Sequence, residues 1–510
     1  MPGRSRWCAE RAILHGQGEC RHAGGVAHRR APRGRWEMSA STHDLVIIGA
    51  GPAGMSAALT AASLGMKTLL LDEQLRPGGQ IYRNITAVPP SVAALLGPDY
   101  RHGEGLAARL GRSGVELRFG AMVWDVARDL TVTAQQDGQS FQVRAPQLIA
   151  ATGAMERASP IPGWTLPGVL NAGAAQIALK SASAVPSGRV VLAGSGPLLL
   201  LVACQLLDAG VSLAGIVETS PSTNRWRALR HLPAALGAHA YLAKGLRMLW
   251  RLRRAGVPMF AAATSLRVEG GERVQALAFK ADRIDHLLHA DVVLLHHGVV
   301  PNTQLSRLLR VDHDWDLVQL AWRPQVNAWG ETSLAGFRVA GDGAAIAGAQ
   351  AAEPNGTLAA LGAAQALGRL DVTECEQRAA SARGTLKRQL RIRPFLDALY
   401  RPPEWLSDPT DETVVCRCEE VTAGRVREMA RLGCQGPNQT KFFSRCGMGP
   451  CQGRVCGLTV TQILSTELGR PPSEVGAYHI RSPLKPVPLA SIAALADTAT
   501  IENSEPMETT

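Results

Sequence analysis

Six of the chain's ten cysteines fall between Cys416 and Cys456, in the segment VVCRCEEVTAGRVREMARLGCQGPNQTKFFSRCGMGPCQGRVCG. Thiols crowded in this way, in a chain without a secretion signal, point to metal or redox chemistry rather than to disulfides. Cys416-x-Cys418 presents two thiolates from one short loop. A distant Cys-x4-Cys completes four ligands, and the segment holds two such pairs, Cys446 with Cys451 and Cys451 with Cys456. Four thiolates suit either zinc or a [2Fe–2S] cluster. Zinc ribbons mostly use CxxC knuckles, so the CxC opening favours iron–sulfur. Gly447, Gly449 and Gly453 leave backbone N–H groups free to point at cluster sulfurs. Arg417, Lys441 and Arg445 offset the negative charge of a thiolate-ligated centre. Cys434, beside Gly433 at a helix end, reads as an ordinary buried thiol.

A second chemistry sits near the other end. His43 to Asp72 reads HDLVIIGAGPAGMSAALTAASLGMKTLLLD: a buried strand, then Gly49-x-Gly51-x-x-Gly54 opening an Ala-rich helix, then a second apolar strand ending in an acid. Gly49 permits the tight turn, Gly51 lets the backbone approach a pyrophosphate, and Gly54 lets helix and strand pack closely. Pro52 and Ala53 begin the helix, whose free N–H groups face phosphate. Asp72 stands where a carboxylate accepts from an adenosine ribose, with Glu73 a minor rival. The pattern recurs at Val190 to Glu218, with Gly194-Ser195-Gly196-Pro197 as the turn. There the third glycine is replaced by Leu199, which pushes helix from strand and weakens the seat of a pyrophosphate. An NADP site would also place arginine where Glu218 stands. The second site is therefore read as retained structure, doubtful for NAD(P)H, with its occupant open. His296-His297, at a strand end, read as structural rather than metal-binding. Between residues 39 and 370 the sequence holds a single cysteine, Cys204, so disulfide reduction, which needs a thiol pair, is excluded.

These sites need a scaffold, and the composition supplies one. The 510 residues are 46% hydrophobic and 19% charged, which excludes disordered, collagenous and coiled-coil chains and leaves room for about three domains. The net charge of +11 is local: residues 1–38 contribute +5 and Arg225 to Arg254 contribute +8, so the remainder is nearly neutral and the chain is not read as a nucleic-acid binder. Residues 1–38 read as a disordered basic extension, or as an upstream start read into the gene, with no apolar run of signal-peptide length. Val190 to Leu207 runs 18 residues without a charge, but its glycine turn makes it a strand and a helix rather than a membrane span. Arg225 to Arg254 reads as surface helices whose apolar sides pack on the domain; contact with anionic lipid or a partner is the other reading.

The first glycine motif resembles that of the two-dinucleotide-binding-domain flavoproteins, the glutathione and thioredoxin reductase-like class. The match continues in order through Gly78-Gly79-Gln80-Ile81, Ala151-Thr152-Gly153, and Thr332 to Asp342 with Gly341 and Asp342 at its end. It implies an α/β fold of two Rossmann-like domains, FAD on the first, and FAD contacts at Gly79, Gln80, Thr152, Gly153, Gly341 and Asp342. The second site would use Gly194 and Gly196. The cysteine segment resembles the bacterioferritin-associated-ferredoxin-like [2Fe–2S] domain, a small helical module. Its ligands here are taken as Cys416, Cys418, Cys446 and Cys451, with Cys451 and Cys456 as the rival pair. Together the phrases GGQIYR, GSGPLLLLVA, CRCEEVT and GMGPCQGRVCG resemble the α subunits of FAD-dependent opine oxidase, hydroxyproline dehydrogenase and hydrogen cyanide synthase complexes, from Asp44 to about Pro488. That resemblance implies an electron-transfer subunit, cytoplasmic or peripheral on the inner membrane face. A glycine-oxidase-like FAD subunit would carry the amine site, and a respiratory acceptor would take the electrons. The rival activity is a stand-alone NAD(P)H-dependent reductase; no catalytic acid, base or nucleophile stands out. The expected organisation is an FAD domain at 39–155 and 305–370, an inserted nucleotide-type domain at 156–304, and a helical linker at 371–410. The [2Fe–2S] module would follow at 411–475, then a tail at 476–510 whose last dozen or so residues lack structure.

Overall fold

The computed structural model describes residues 43–502, with side chains described to residue 495; the expectations for residues 1–38 and for the last eight residues lie outside the described part. Leu45–Ile48 is fully apolar and, with Thr68–Asp72, forms the centre of a five-stranded parallel sheet. Its order is Phe337–Val339, Gln147–Ala150, Leu45–Ile48, Thr68–Asp72, Glu116–Phe119. A strand buried on both faces reads as a continuous apolar run, which is how these strands look in sequence. Val190 to Leu207 likewise resolves into a strand, Val190–Ser195, and a helix, Pro197–Asp208. That strand is central in a second parallel sheet of order Met259–Phe260, Leu213–Glu218, Val190–Ser195, Val292–His297, Val169–Asn171. Each sheet carries a three-stranded antiparallel appendage, so one architecture occurs twice. The chain crosses between the two units on an antiparallel pair, Ala154–Glu156 with Val299–Pro301.

One face of the first sheet packs on helices Pro52–Ser63, Ala349–Ala366 and Val372–Leu390 in a single apolar cluster. The last of these begins the segment read as a linker. Asp371 caps it by accepting from the Glu374 N–H, and Cys375 and Ala379 on its inner stripe are fully buried. The other face shares one continuous core with the C-terminal module, in which Val46, Leu69 and Leu148 join Val415, Val460 and Ile463. The residues after 475, read as a tail, close that core with Tyr478, Ile480 and Leu484, and a helix, Leu489–Glu502, follows. The cysteine module is therefore set against the first sheet rather than tethered loosely to it. No helix among the described residues is long and apolar enough to cross a membrane.

Candidate flavin and thiolate sites

A cavity of about 830 Å³ runs along the carboxyl ends of the first sheet and on to the second glycine turn. Gly49 has φ +106°, and a Cβ there would lie 2.4 Å from the Ala151 carbonyl oxygen. A Cβ on Gly54 would lie 1.8 Å from the Gly49 oxygen, so helix and turn touch backbone to backbone. Gly51 is different: its φ is −74° and its nearest neighbour, Gly79 Cα, would be 3.8 Å away, so its bare face opens into the cavity beside Gly79. Asp72 accepts from the N–H of Ala50 (2.5 Å) and of Gln74 (2.7 Å); burial raises its pKa against those two bonds. Glu73 also lines the cavity and forms an ion pair with Lys485. Thr152 donates to the Asn302 carbonyl oxygen, tying the crossover to the returning strand. Asp342 Oδ1 accepts from the N–H of Ala347 (2.8 Å) and Gly348 (2.9 Å), which orders the start of helix Ala349–Ala366 at the cavity wall. These are the features an extended dinucleotide requires: bare backbone at the phosphates and oriented helix N-termini.

The second turn keeps its glycines, with φ +138° at Gly194 and +116° at Gly196. Leu199 lies fully buried between its helix and the sheet. Three protein groups crowd the site. His296 stands over Gly196 and bonds Glu156 (Nδ1 to Oε1 2.6 Å), which also accepts from the Gly173 N–H. Glu218 accepts from the Ser220 N–H, and burial raises its pKa. The Tyr400 ring, brought in by helix Arg393–Leu399, is half-buried on the cavity wall near Glu218, and desolvation and that carboxylate push its phenol up to about 12. His297 bonds Ser159 (2.7 Å) and meets Trp405 edge-on; burial first, then the charges of His296 and Arg157, drive its pKa down to about 3, so it is neutral. Both histidines are thus committed to protein partners.

In the C-terminal module the sulfurs of Cys416, Cys446 and Cys456 lie within 4.8 Å of one another, all buried. Cys416 ends the strand Val414–Cys416, Cys446 follows the left-handed cap at Arg445, and Cys456 caps helix Gly457–Leu468. Cys418 and Cys451 form a second pair beside them: the Cys451 N–H points at the Cys418 sulfur. Cys418 is exposed, Cys451 half-buried. The taken set of Cys416, Cys418, Cys446 and Cys451 is therefore spread over both groups, and Cys456 belongs with Cys416 and Cys446 in the tight group. The thiols of Cys446 and Cys456 and the N–H groups of Gly447 and Glu419 converge on Cys416 and hold its pKa far below the thiol range, while Cys446 and Cys456 are raised. An anionic sulfur at Cys416 is what a metal centre needs. Tyr478, missed in sequence because it lies in the presumed tail, packs its ring on Gly447 and Gly453; its buried hydroxyl has no nitrogen or oxygen partner and lies against Cys446. Five thiols, an orphaned donor aimed at sulfur, and glycines pressed against the ring fit a thiolate-ligated metal group. Of the expected cations, Lys441 lies over the Tyr478 ring, Arg445 pairs with Glu419 (2.8 Å), and Arg417 stacks on Trp164, whose N–H donates to the Val414 carbonyl oxygen. Cys434 is buried outside both groups.

The chain matches the pyridine nucleotide-disulphide oxidoreductase family over residues 43–356 and the sarcosine oxidase A3 domain over residues 410–496. It is 45% identical to the opine oxidase α-type (A) chain of Rhizobium meliloti over 466 residues, covering 90% of this chain and 88% of that one. With hydrogen cyanide synthase subunit HcnB of Pseudomonas aeruginosa it shares 33% identity, covering 89% and 99%. It belongs to the opine oxidase α-type family. The solved L-proline dehydrogenase from P.horikoshii has the same fold (TM-score 0.66, 18% identity, 88% of this chain and 79% of that one). Membership makes this chain a flavin oxidoreductase, and the glycine cavity is where a family member would hold FAD.

Three further residues of the site were not foreseen. Arg454, between Cys451 and Cys456, reaches the cavity wall and donates to the Leu484 carbonyl oxygen; Lys485 lies on the same wall. Lys180 is buried without a carboxylate and donates to the Gln80 carbonyl oxygen (3.0 Å) and to Gln176 (2.9 Å), holding the Gly78-Gly79-Gln80 turn. Burial and then the charge of Arg83 lower its pKa to about 7 from 10.5. Between those values the unfolded chain holds the extra proton, so stability should rise with pH from about 7 upward. Thermal melts at neutral and mildly alkaline pH should show a rise of about 1–2 kcal/mol that Lys180→Met flattens.

Proposed function

We propose that the chain is the flavin and iron–sulfur electron-transfer subunit of an amine or amino-acid dehydrogenase complex, of the opine, hydroxyproline, sarcosine or glycine class. FAD would occupy the cavity at Gly49 to Gly54, Asp72, Thr152, Gly153 and Asp342. A [2Fe–2S] cluster would be held by Cys416, Cys418 and Cys451 with either Cys446 or Cys456. A glycine-oxidase-like subunit would carry the amine site, and a respiratory acceptor would receive the electrons. The observation that carries this reading is Arg454: one loop supplies both cavity wall and thiolates. When bound, the two groups supply conversion of a two-electron donation into single-electron steps.

The chain's own part is placement and insulation. The glycine turns and the N–H groups at helix starts seat phosphates, Asp72 and Asp342 order the backbone around them, and Lys180 pins the Gln80 turn. The shared core fixes the thiol loop against the cavity. Tyr478 is placed to donate to a cluster ligand, which favours the more negative, reduced centre. Tyr478→Phe should lower the cluster's midpoint potential by about 40 mV, the one-electron equivalent of a ~1 kcal/mol hydrogen bond, with iron content unchanged. A potentiometric titration followed by EPR reads it.

The second glycine turn supports the partner-fed reading, since Leu199 stands in the helix–sheet core where the motif has glycine, and the Glu156–His296 pair and Tyr400 put protein groups on the cavity wall beside the turn. Anaerobic addition of NADH or NADPH to the purified chain should leave the flavin absorbance intact. Rapid bleaching would make it a stand-alone reductase instead.

A further inference from the structure

Arg225 to Arg254 holds seven arginines, one lysine and no acid, folded into helices Ser222–Leu229, Leu232–Leu236 and His239–Arg254. The expectation that its apolar side chains pack on the domain is met on one side only: Leu252, with Met248 and Leu249 beside it, joins the core of the second sheet, and Asn224, Ala228 and Ala235 are buried on the shorter helices, while other apolar side chains face out. Trp226 is 77% exposed, Leu246 68% and Trp250 61%. The reason is helical phase. On the longest helix Ala243, Leu246, Arg247, Trp250, Arg253 and Arg254 recur at spacings of three, four and seven, so they share one stripe opposite Leu252.

Charge follows the same face. Lys244 pairs with Asp99, and Arg251 with Asp208. Arg225, Arg227, Arg230, Arg247, Arg253 and Arg254 have no carboxylate within 4.0 Å among the described residues. Arg254 lies over the Trp250 ring, 5.2 Å from its centroid, so cation and indole face outward together. A helix with aromatic and leucine side chains flanked by guanidiniums matches the bilayer interface, where indole sits at headgroup depth and arginine meets lipid phosphate. Cations without a close carboxylate, spread over the first and last of these helices and the Arg230 turn, match a diffuse anionic surface better than a fixed set of carboxylates.

We propose that this helical face docks the protein peripherally on an anionic phospholipid surface, with Leu246 and Trp250 entering the headgroup boundary and Arg247, Arg253 and Arg254 contacting lipid phosphates. The test is co-sedimentation of the flavin-loaded full chain with phosphatidylcholine vesicles, with and without phosphatidylglycerol. Binding should require phosphatidylglycerol and weaken as salt rises. The variant R247S/R253S/R254S should lower the partition coefficient about 100-fold. W250S should weaken binding too and remove quenching by brominated lipid, both variants keeping flavin absorbance. Equal binding to both vesicle types, or binding unchanged in the triple variant, overturns the proposal. So does an absence of vesicle binding together with loss of the partner subunit from the triple variant on co-purification, which would make the face a protein interface.

Discussion

Cys416→Ser should strip the iron from the purified chain and leave the flavin in place. Cys416 belongs to both four-thiolate sets proposed for the module, whichever of Cys446 and Cys456 completes it. Its sulfur is the point on which two thiols and the N–H groups of Gly447 and Glu419 converge. A serine oxygen there is harder and less acidic, and it leaves those donors aimed at a poor ligand. The flavin cavity is built largely from a different loop and helix set, so its occupancy should not follow. Iron and acid-labile sulfide should fall from two of each per chain to near zero, with the flavin-to-protein ratio unchanged. Retained iron would remove Cys416 from the ligand set. The same assay on Cys446→Ser and Cys456→Ser separates the two thiols that geometry places in one group with Cys416.

Gly54→Ala should do the reverse. The added methyl would sit 1.8 Å from the Gly49 oxygen and 3.3 Å from Ala151 Cβ. The helix Pro52–Ser63 cannot retreat, because Gly356 already brings helix Ala349–Ala366 against the Ala53 carbonyl, where a Cβ would lie 2.0 Å away. Forced overpacking of this kind costs about 1–3 kcal/mol and displaces the turn that faces the pyrophosphate. The protein should purify pale, with flavin affinity down at least about tenfold, a lowered melting temperature, and iron retained in the module. Gly51→Ala separates seat from scaffold. Its φ is ordinary and its surroundings are open, so the melting temperature should hold while flavin affinity still falls.

The two glycine turns were legible in sequence because each chemical need maps onto one residue type at one spacing. The thiolate chemistry was legible for the same reason, but ligand choice was not. Cys446 and Cys456 both stand four residues from Cys451 in the intervening count, and only the path of the loop around Gly447 and Gly453 brings both to Cys416. Tyr478 escaped notice because nothing local marks a buried tyrosine in an irregular segment; the signal was indirect, in glycines that a flat ring presses upon. Helix Val372–Leu390 did carry a stripe, Cys375, Ala379, Ala382 and Leu386, which pointed to packing rather than to a tether. Tyr400 is set by tertiary placement of a short helix and has no periodic signature.

Electrons are proposed to reach this chain from an amine oxidised on a partner protein, then to pass through a cluster beside the flavin cavity. The most direct measurement is low-temperature EPR of the anaerobic heteromer, frozen after addition of an opine, hydroxyproline, sarcosine or glycine. The expected result is the signal of a reduced [2Fe–2S] cluster with at least one of these donors, and its disappearance in the Cys416→Ser complex while flavin bleaching persists. A complex whose flavin is bleached by such a donor but whose intact, iron-loaded cluster stays oxidised would contradict it.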